Sequence, residues 1–185
     1  MNFTNQIAWL AGLIEGEGNV GMYRHDRGDG TYKISASVTV TNTDPGIINQ
    51  IDKIMRKLGV VPYVQERIPG KGDWNKCYFV RVQSQKDTKT ILESTVGYMF
   101  GQKKAISQLT LRFINSRLSG KDNGKKNTGN GSQYTQVEKK VYSIVRELNR
   151  RGKDKKYPPP ETIRDIHKYD KKWNDIVRTR DESTR

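Results

Sequence analysis

Apolar residues recur along this chain in two alternating rhythms. Residues 7–16, Ile-Ala-Trp-Leu-Ala-Gly-Leu-Ile-Glu-Gly, are nearly continuously apolar and end in glycines, which predicts a short buried helix with Thr4 as its candidate cap. The rhythm then changes to alternation. Segments 19–25 and 32–42 flank Asp26-Arg27-Gly28-Asp29-Gly30, predicting two strands joined by a hairpin loop. In the second strand Tyr32, Ile34, Ala36, Val38 and Val40 share one side, and Lys33, Ser35, Ser37, Thr39 and Thr41 share the other. One side is suited to a core, and the other is basic and rich in hydroxyls.

Helical spacing returns after Asp44 and Pro45, a candidate N-cap and first-turn proline. Ile47, Ile48, Ile51, Ile54, Met55 and Leu58 follow at that spacing, and Gly59 is the expected stop. Residues 61–68 and 74–83 predict a second hairpin around Pro69-Gly70-Lys71-Gly72-Asp73, and residues 86–99 and 102–118 predict two helices separated near Gly101. The order αββαββαα implies an α+β fold, one antiparallel sheet with helices on one face and the other face free.

Residues 119–132 hold four glycines, three asparagines and several lysines, the composition of a flexible linker. The expected organisation is therefore a core over 1–118, a linker over 119–133 and a basic helical C-terminal extension over 134–185. In the extension Val137, Val141, Ile144, Val145 and Leu148 keep helical spacing, and a second helix is expected over 161–178, after the break at Pro158-Pro159-Pro160. From Ser119 onward, 18 Lys and Arg against 10 Asp and Glu leave about +8 of charge there, suited to clamping a polyanion.

Composition narrows the partner. The 185 residues carry a formal charge of +14, and only 33% are hydrophobic. The pI is near 9.9 and the mean hydropathy is −0.86. A compact protein this basic repels itself unless it works on polyanions, and nucleic acid is the first candidate. An anionic membrane is the alternative, but no apolar run approaches the roughly 20 residues of a spanning helix. With no N-terminal signal pattern, the chain is expected to be soluble, intracellular and not exported. The single cysteine, Cys77, excludes an internal disulfide, and His25 and His167 alone do not supply a zinc site. A metal would need oxygen ligands, which favours magnesium.

Within the first helix, Leu10-Ala11-Gly12-Leu13-Ile14-Glu15-Gly16-Glu17-Gly18 resembles the signature after which LAGLIDADG homing endonucleases are named. Six of the nine letters are identical and two more remain acidic. The resemblance spans about residues 7–118, where the element order is also that of the family. It implies an αββαββα core with a saddle-shaped sheet and a metal-dependent double-strand cut in a long DNA site, staggered to leave 3′ overhangs. It also implies an intron or intein origin, and free-standing length favours an intron. Ala8, Gly12 and Gly16 are four apart, so on a helix they form a stripe open to close approach by a second backbone. With one motif per chain, the resemblance implies a homodimer and a palindromic or pseudopalindromic target.

Glu17 would then face its counterpart, two carboxylates that repel unless cations lie between them. Magnesium, with manganese as its substitute, is the cofactor the resemblance implies, with Glu17 and the Gly16 carbonyl as ligands. Glu15 is assigned with Ala8, Gly12 and Gly16 to the dimer contact. By position Asn42 and Lys103 correspond to the family's polar side chain and lysine near the attacking water. Family members often have Gln at the first place. Asn42 equally suits a strand-ending turn, Lys103 a phosphate clamp, and Lys104 is an available neighbour.

A two-stranded ribbon fits the major groove, where every base pair shows its own pattern of donors, acceptors and methyl groups. Alternation nominates Asn19, Tyr23, His25, Lys33, Ser35, Ser37, Thr39, Thr41, Tyr63, Gln65, Arg67, Lys76 and Tyr78 as outward residues, with Arg24, Arg27 and Lys71 near the hairpin tips. Arg67 suits guanine and Gln65 adenine. His25 is expected to touch a base or phosphate, His167 to lie on the surface, and Trp9 to pack in the core. Two rivals stay open: a non-cleaving DNA-binding regulator or splicing maturase of the same fold, and an RNA-associated structural protein.

Overall fold

The computed structural model describes residues 2–67, 76–122 and 134–150, with side chains left out at 120–122. Lys71, the expected linker from 123 to 133, the prolines at 158–160 and the expected helix over 161–178 with His167 lie outside the described residues. Residues Met1–Asn149 belong to one compact unit.

The elements follow the expected order. Helix α1 (Phe3–Gly16) leads into the hairpin β1 (Gly18–Asp26) and β2 (Tyr32–Asn42). Then come α2 (Pro45–Lys57), β3 (Tyr63–Arg67), β4 (Cys77–Val82) and α3 (Gln85–Thr95). A 3-10 turn (Val96–Tyr98) precedes α4 (Gly101–Asp122), and α5 (Gln136–Leu148) completes the unit. Helix α1 begins earlier than its apolar run, because the Asn2 side chain accepts from the Asn5 amide and extends the helix one polar turn. Asp44 caps α2 through Gly46 N, with Pro45 in the first turn. The stop after α2 is Gly59 at φ +76°, a left-handed conformation that glycine adopts without a Cβ penalty.

The four strands form an open antiparallel saddle in the order β1-β2-β4-β3. Each hairpin stays intact, and the two meet through β2 and β4, where Val38, Thr39, Val40, Thr41 and Asn42 face Val82, Arg81, Val80, Phe79 and Tyr78. Val20, Met22, Ile34, Ala36, Val38, Val40, Val80 and Val82 are all buried and lie on one face. Against them pack Leu10 and Ile14 of α1, Ile51, Ile54 and Met55 of α2, Ile91 and Leu92 of α3, and Ile106, Phe113 and Ile114 of α4. The opposite sheet face is not covered by any described helix. Burial of each large apolar side chain contributes about 1.5–3 kcal/mol, so one helix-covered face suffices for a lean composition. Among the described residues no helix is long and apolar enough to cross a membrane.

Helix α5 is part of this unit, held by polar contacts as well as by buried Val141 and Val145. Ile34 N donates to the Tyr134 hydroxyl at 2.7 Å, on the stretch of β2 that β4 does not reach. Tyr134 also stacks on Tyr32 and Phe113, and the Arg117 guanidinium lies 4.8 Å from its ring centroid. Buried Glu138 closes a capping box with Thr135 and accepts from Ser116. Asn149 donates to the carbonyl of Val20 at 2.8 Å, tying the end of α5 to the edge strand.

The chain passes from α1 to β1 through Glu17 alone, and Gly18 makes that turn possible. A Cβ at Gly18 would stand 2.6 Å from Ile14 Cα and 2.7 Å from its carbonyl oxygen. Both are backbone atoms that cannot rotate away. Gly18→Ala is therefore expected to lower stability by about 1–3 kcal/mol, read as a fall in Tm or denaturant midpoint of the full chain. An unchanged midpoint would show that the turn has slack.

Candidate functional site

Glu17 is the C-cap of α1 and exposed at the point where helix gives way to strand. Asn42, the last residue of β2, donates through Nδ2 to Glu17 Oε2, and its own Oδ1 accepts from the Asp44 amide at 2.8 Å. Asn42 is thus both the strand-ending turn residue and the partner of the carboxylate. Its amide is oriented from behind by the turn, which points Nδ2 at the Glu17 carboxylate.

Lys103, near the start of α4, reaches the other side of the same helix end. Its Nζ donates to the carbonyls of Ile14 at 2.7 Å and Glu15 at 2.5 Å. The last carbonyls of a helix have no intrahelical donor and carry partial negative charge, so an ammonium there satisfies both needs. Glu15 points elsewhere: its carboxylate accepts from Phe100 N at 3.0 Å, binding the loop before α4. Lys104 makes no such contact. The geometry thus brings Glu17, Asn42 and Lys103 together around one helix end. Ala8, Gly12 and Gly16 run along α1, with both glycines exposed and nothing within 4 Å of a Cβ built on either. Trp9 is half-buried beside them.

The uncovered sheet face is set by strand pairing. Asn19, Thr39, Arg81 and Tyr63 form one row across all four strands, and Thr41, Phe79 and Gln65 form the next. Ser37, Tyr23, Ser35, His25 and Lys33 extend this face along the first hairpin, and Arg67 and Cys77 along the second. Asn19 donates to the Tyr23 hydroxyl at 2.6 Å, His25 and Ser35 are 2.8 Å apart, and the Tyr63 hydroxyl donates to Gln65 at 3.0 Å. Ser37 belongs to this face but is buried, because it lies opposite Gly21, over which the Tyr23 ring folds. Arg27 lies in the first hairpin loop, where its amide donates to Thr31 O. In that loop the Asp29 carboxylate accepts from the side chain and backbone of Thr31, which hold its pKa below the usual value.

Three sequence-predicted contacts fall on the other phase. Arg24 pairs in register with Ile34 and lies over the Tyr32 ring at 4.2 Å, in an ion pair with Asp26. Tyr78 aligns with Asn42 and Glu66, and Lys76 bonds Glu66 at 2.7 Å. That contact with Glu66 raises the pKa of Lys76. Lys76 and Tyr78, nominated by alternation, are thus corrected to the helix-side phase, and Arg24, nominated by its place near the hairpin tip, keeps that place. Beside Cys77, the residues on the open face of β4 are Phe79 and Arg81, which sequence reasoning passed over. The signal was present: Val80 and Val82 are the apolar pair of this strand, and they take Tyr78 with them to the core side.

One electrostatic feature follows from this phase. No described strand residue on the open face is acidic, and the two strand carboxylates, Asp26 and Glu66, are on the other phase, each paired with a cation. The open face therefore offers Lys33, Arg67 and Arg81 to an anion, and the neighbouring carboxylate of Glu66 is engaged by Lys76.

Residues 4–95 match the family model of the LAGLIDADG-like domain. Among solved structures the fold is similar to the homing endonuclease I-CvuI in complex with its target in the presence of calcium. The identity is 23%, with 90% of this chain and 95% of that chain covered and a TM-score of 0.59. It is also similar to the archaeal intron-encoded homing endonuclease I-Vdi141I complexed with DNA, at 16% identity, 91% and 99% coverage and a TM-score of 0.59. The LAGLIDADG homing endonuclease I-GzeII in complex with its DNA target aligns over 77% of this chain but 43% of its own, at 16% identity and a TM-score of 0.52. No curated protein matches the sequence. Residues 4–95 thus match a LAGLIDADG-like domain, and the fold is shared with solved LAGLIDADG homing endonucleases.

The contacts of Lys103 predict a separation between neighbours. Lys103→Met should lower stability by about 1–2 kcal/mol through loss of charge-assisted bonds to two carbonyls. Lys104→Met should stay within about 0.5 kcal/mol of the parent. Equal midpoints for the two variants in chemical denaturation would reverse this assignment.

Proposed function

We propose that this chain is the subunit of a homodimeric endonuclease that makes a site-specific, metal-dependent double-strand cut in a long pseudopalindromic DNA site. The observation that carries this reading is the placement of Glu17. It is an exposed carboxylate fixed by Asn42 at a helix end stapled by Lys103, beside an open sheet face that has no acidic strand residue.

The donor set fits a hard cation. Among the described residues no three His, Cys, Asp or Glu side chains cluster, and the donors at this helix end are oxygens, the Glu17 carboxylate and the Gly16 carbonyl. One chain provides one such carboxylate, so a second copy supplies the charge that a divalent ion needs. Magnesium bound there supplies a more acidic water and stabilises charge on the leaving 3′ oxygen. The chain's own residues do the remainder. Asn42 holds the carboxylate in one orientation, Lys103 keeps the helix end closed, and Lys33, Arg67 and the hydroxyl-rich strands hold the duplex against the open face.

The second copy is supported by two observations. The exposed glycines of α1 leave room for a backbone to approach, and the fold unit fills 95% of the I-CvuI chain but 43% of the I-GzeII chain. A chain of the longer kind has room for two such units, and in the proposed dimer a second copy supplies the other unit. The proposed organisation keeps residues 134–185 as a basic extension of the core.

Two experiments test the reading. Glu17→Gln should reduce cutting by about 100-fold or more, equivalent to about 2.7 kcal/mol of barrier, while duplex binding changes little. The assay is a target library incubated with magnesium and sequenced for cut ends. Binding by the parent chain with no double-strand break would instead favour the non-cleaving regulator of the same fold. Gly12→Leu should leave helix content intact, since leucine has the higher helix propensity and nothing in the single chain blocks it. The same change should convert the DNA-bound species from dimer to monomer in sedimentation, and persistence of a dimer would remove α1 from the interface.

A further inference from the structure

Arg81 lies in the centre of the open face, in the row formed with Asn19, Thr39 and Tyr63. Its guanidinium carbon lies 5.0 Å from the centroid of the Phe79 ring, and Phe79 in turn packs against Tyr63 at 6.0 Å. Stacking against a ring restrains the guanidinium plane while leaving its edge donors unused. No carboxylate among the described residues pairs with it. With Gln65, Glu66, Arg67 and Phe79 it lines an open concavity of about 400 Å3, and the Glu66 carboxylate is occupied by Lys76. A restrained, unpaired guanidinium fork in a concavity is arranged for a planar acceptor pair. A phosphate also takes such a fork at two points, so the two acceptors are told apart by the sequence dependence and the salt dependence of binding.

We propose that Arg81, braced by Phe79, is a specificity-determining residue that reads a guanine through its O6 and N7 edge, one guanine in each half-site. This rests on the duplex-binding reading above. Position refines it: β4 is two strands from β1, so Arg81 is about 10 Å across the sheet from the strand that begins beside Glu17. The guanine it reads therefore belongs to the inner part of the half-site, near the cut, and not to its distal end.

The test is selection from a random duplex library with the full-length chain, followed by binding to the selected consensus and to single-base variants of it. The parent should select guanine at one inner position of each half-site. Arg81→Ala should make that position degenerate, leave preferences elsewhere unchanged, and lower affinity for the consensus roughly 10- to 100-fold. Arg81→Lys, which retains the charge and the fold, should also lose the guanine preference because an ammonium lacks the fork. Phe79→Leu should weaken it part of the way. An unchanged consensus with Arg81→Ala would overturn the proposal. So would a uniform affinity loss across all sequences with a shallower salt dependence, the signature of a phosphate contact. If the parent selects no duplex sequence at all, the endonuclease reading fails together with it.

Discussion

The closing of one helix end governs the rest of this molecule. At the C-terminus of α1 the carbonyl of Ile14 accepts from the Glu17 cap amide, and the carbonyls of Ile14 and Glu15 both carry the partial negative charge of the helix end. Lys103 satisfies both from α4, and Glu15 returns the link by holding Phe100 N. Gly18 then lets β1 begin directly against Ile14. Between these fixed points Glu17 has little backbone freedom, while its side chain is outside the packing. Three distant parts of the sequence cooperate to present one carboxylate.

The second constraint is the sorting of charge by strand phase. A protein with a formal charge of +14 has cations to spare, so its surface is generically attractive to polyanions. Selective recognition needs more, namely carboxylates kept off the contacting face and side chains held in defined orientations. Both conditions are met by the strands. Asp26 and Glu66 are turned to the helix side and paired, and hydroxyls, amides and guanidinium groups alternate onto the open side. The short contacts among Asn19, Tyr23, His25 and Ser35 show that this side is organised before any partner arrives.

Helix α5 shows how the compact unit extends beyond the resemblance. Its apolar spacing was legible, but the sequence gives no reason for it to join the sheet. That depends on Tyr134, whose hydroxyl accepts from a strand amide that β4 leaves unpaired, and on Asn149, which meets the edge strand. A free strand edge is exposed to unwanted pairing, and a covering helix removes part of it. The basic residues that follow thus continue from a helix anchored to the fold.

The order of elements, the caps at Asp44 and Gly59, the core side of β2 and the carboxylate at Glu17 were all determined by local sequence, because periodicity, capping and glycine chemistry act over a few residues. The neighbourhood of Glu17 was legible only through family likeness. That Asn42 turns its amide to Glu17, and that Lys103 and not Lys104 reaches the helix end, depends on where β2 and α4 lie in space. The phase of β4 was a closer matter. Its valines carried the answer, but aromatic and basic residues on both sides masked it until pairing with β2 made the register physical. A one-residue choice of phase moves every side chain of a strand to the opposite face. For that reason Arg81 and Phe79, unlike Glu17, became visible only once the strands were joined.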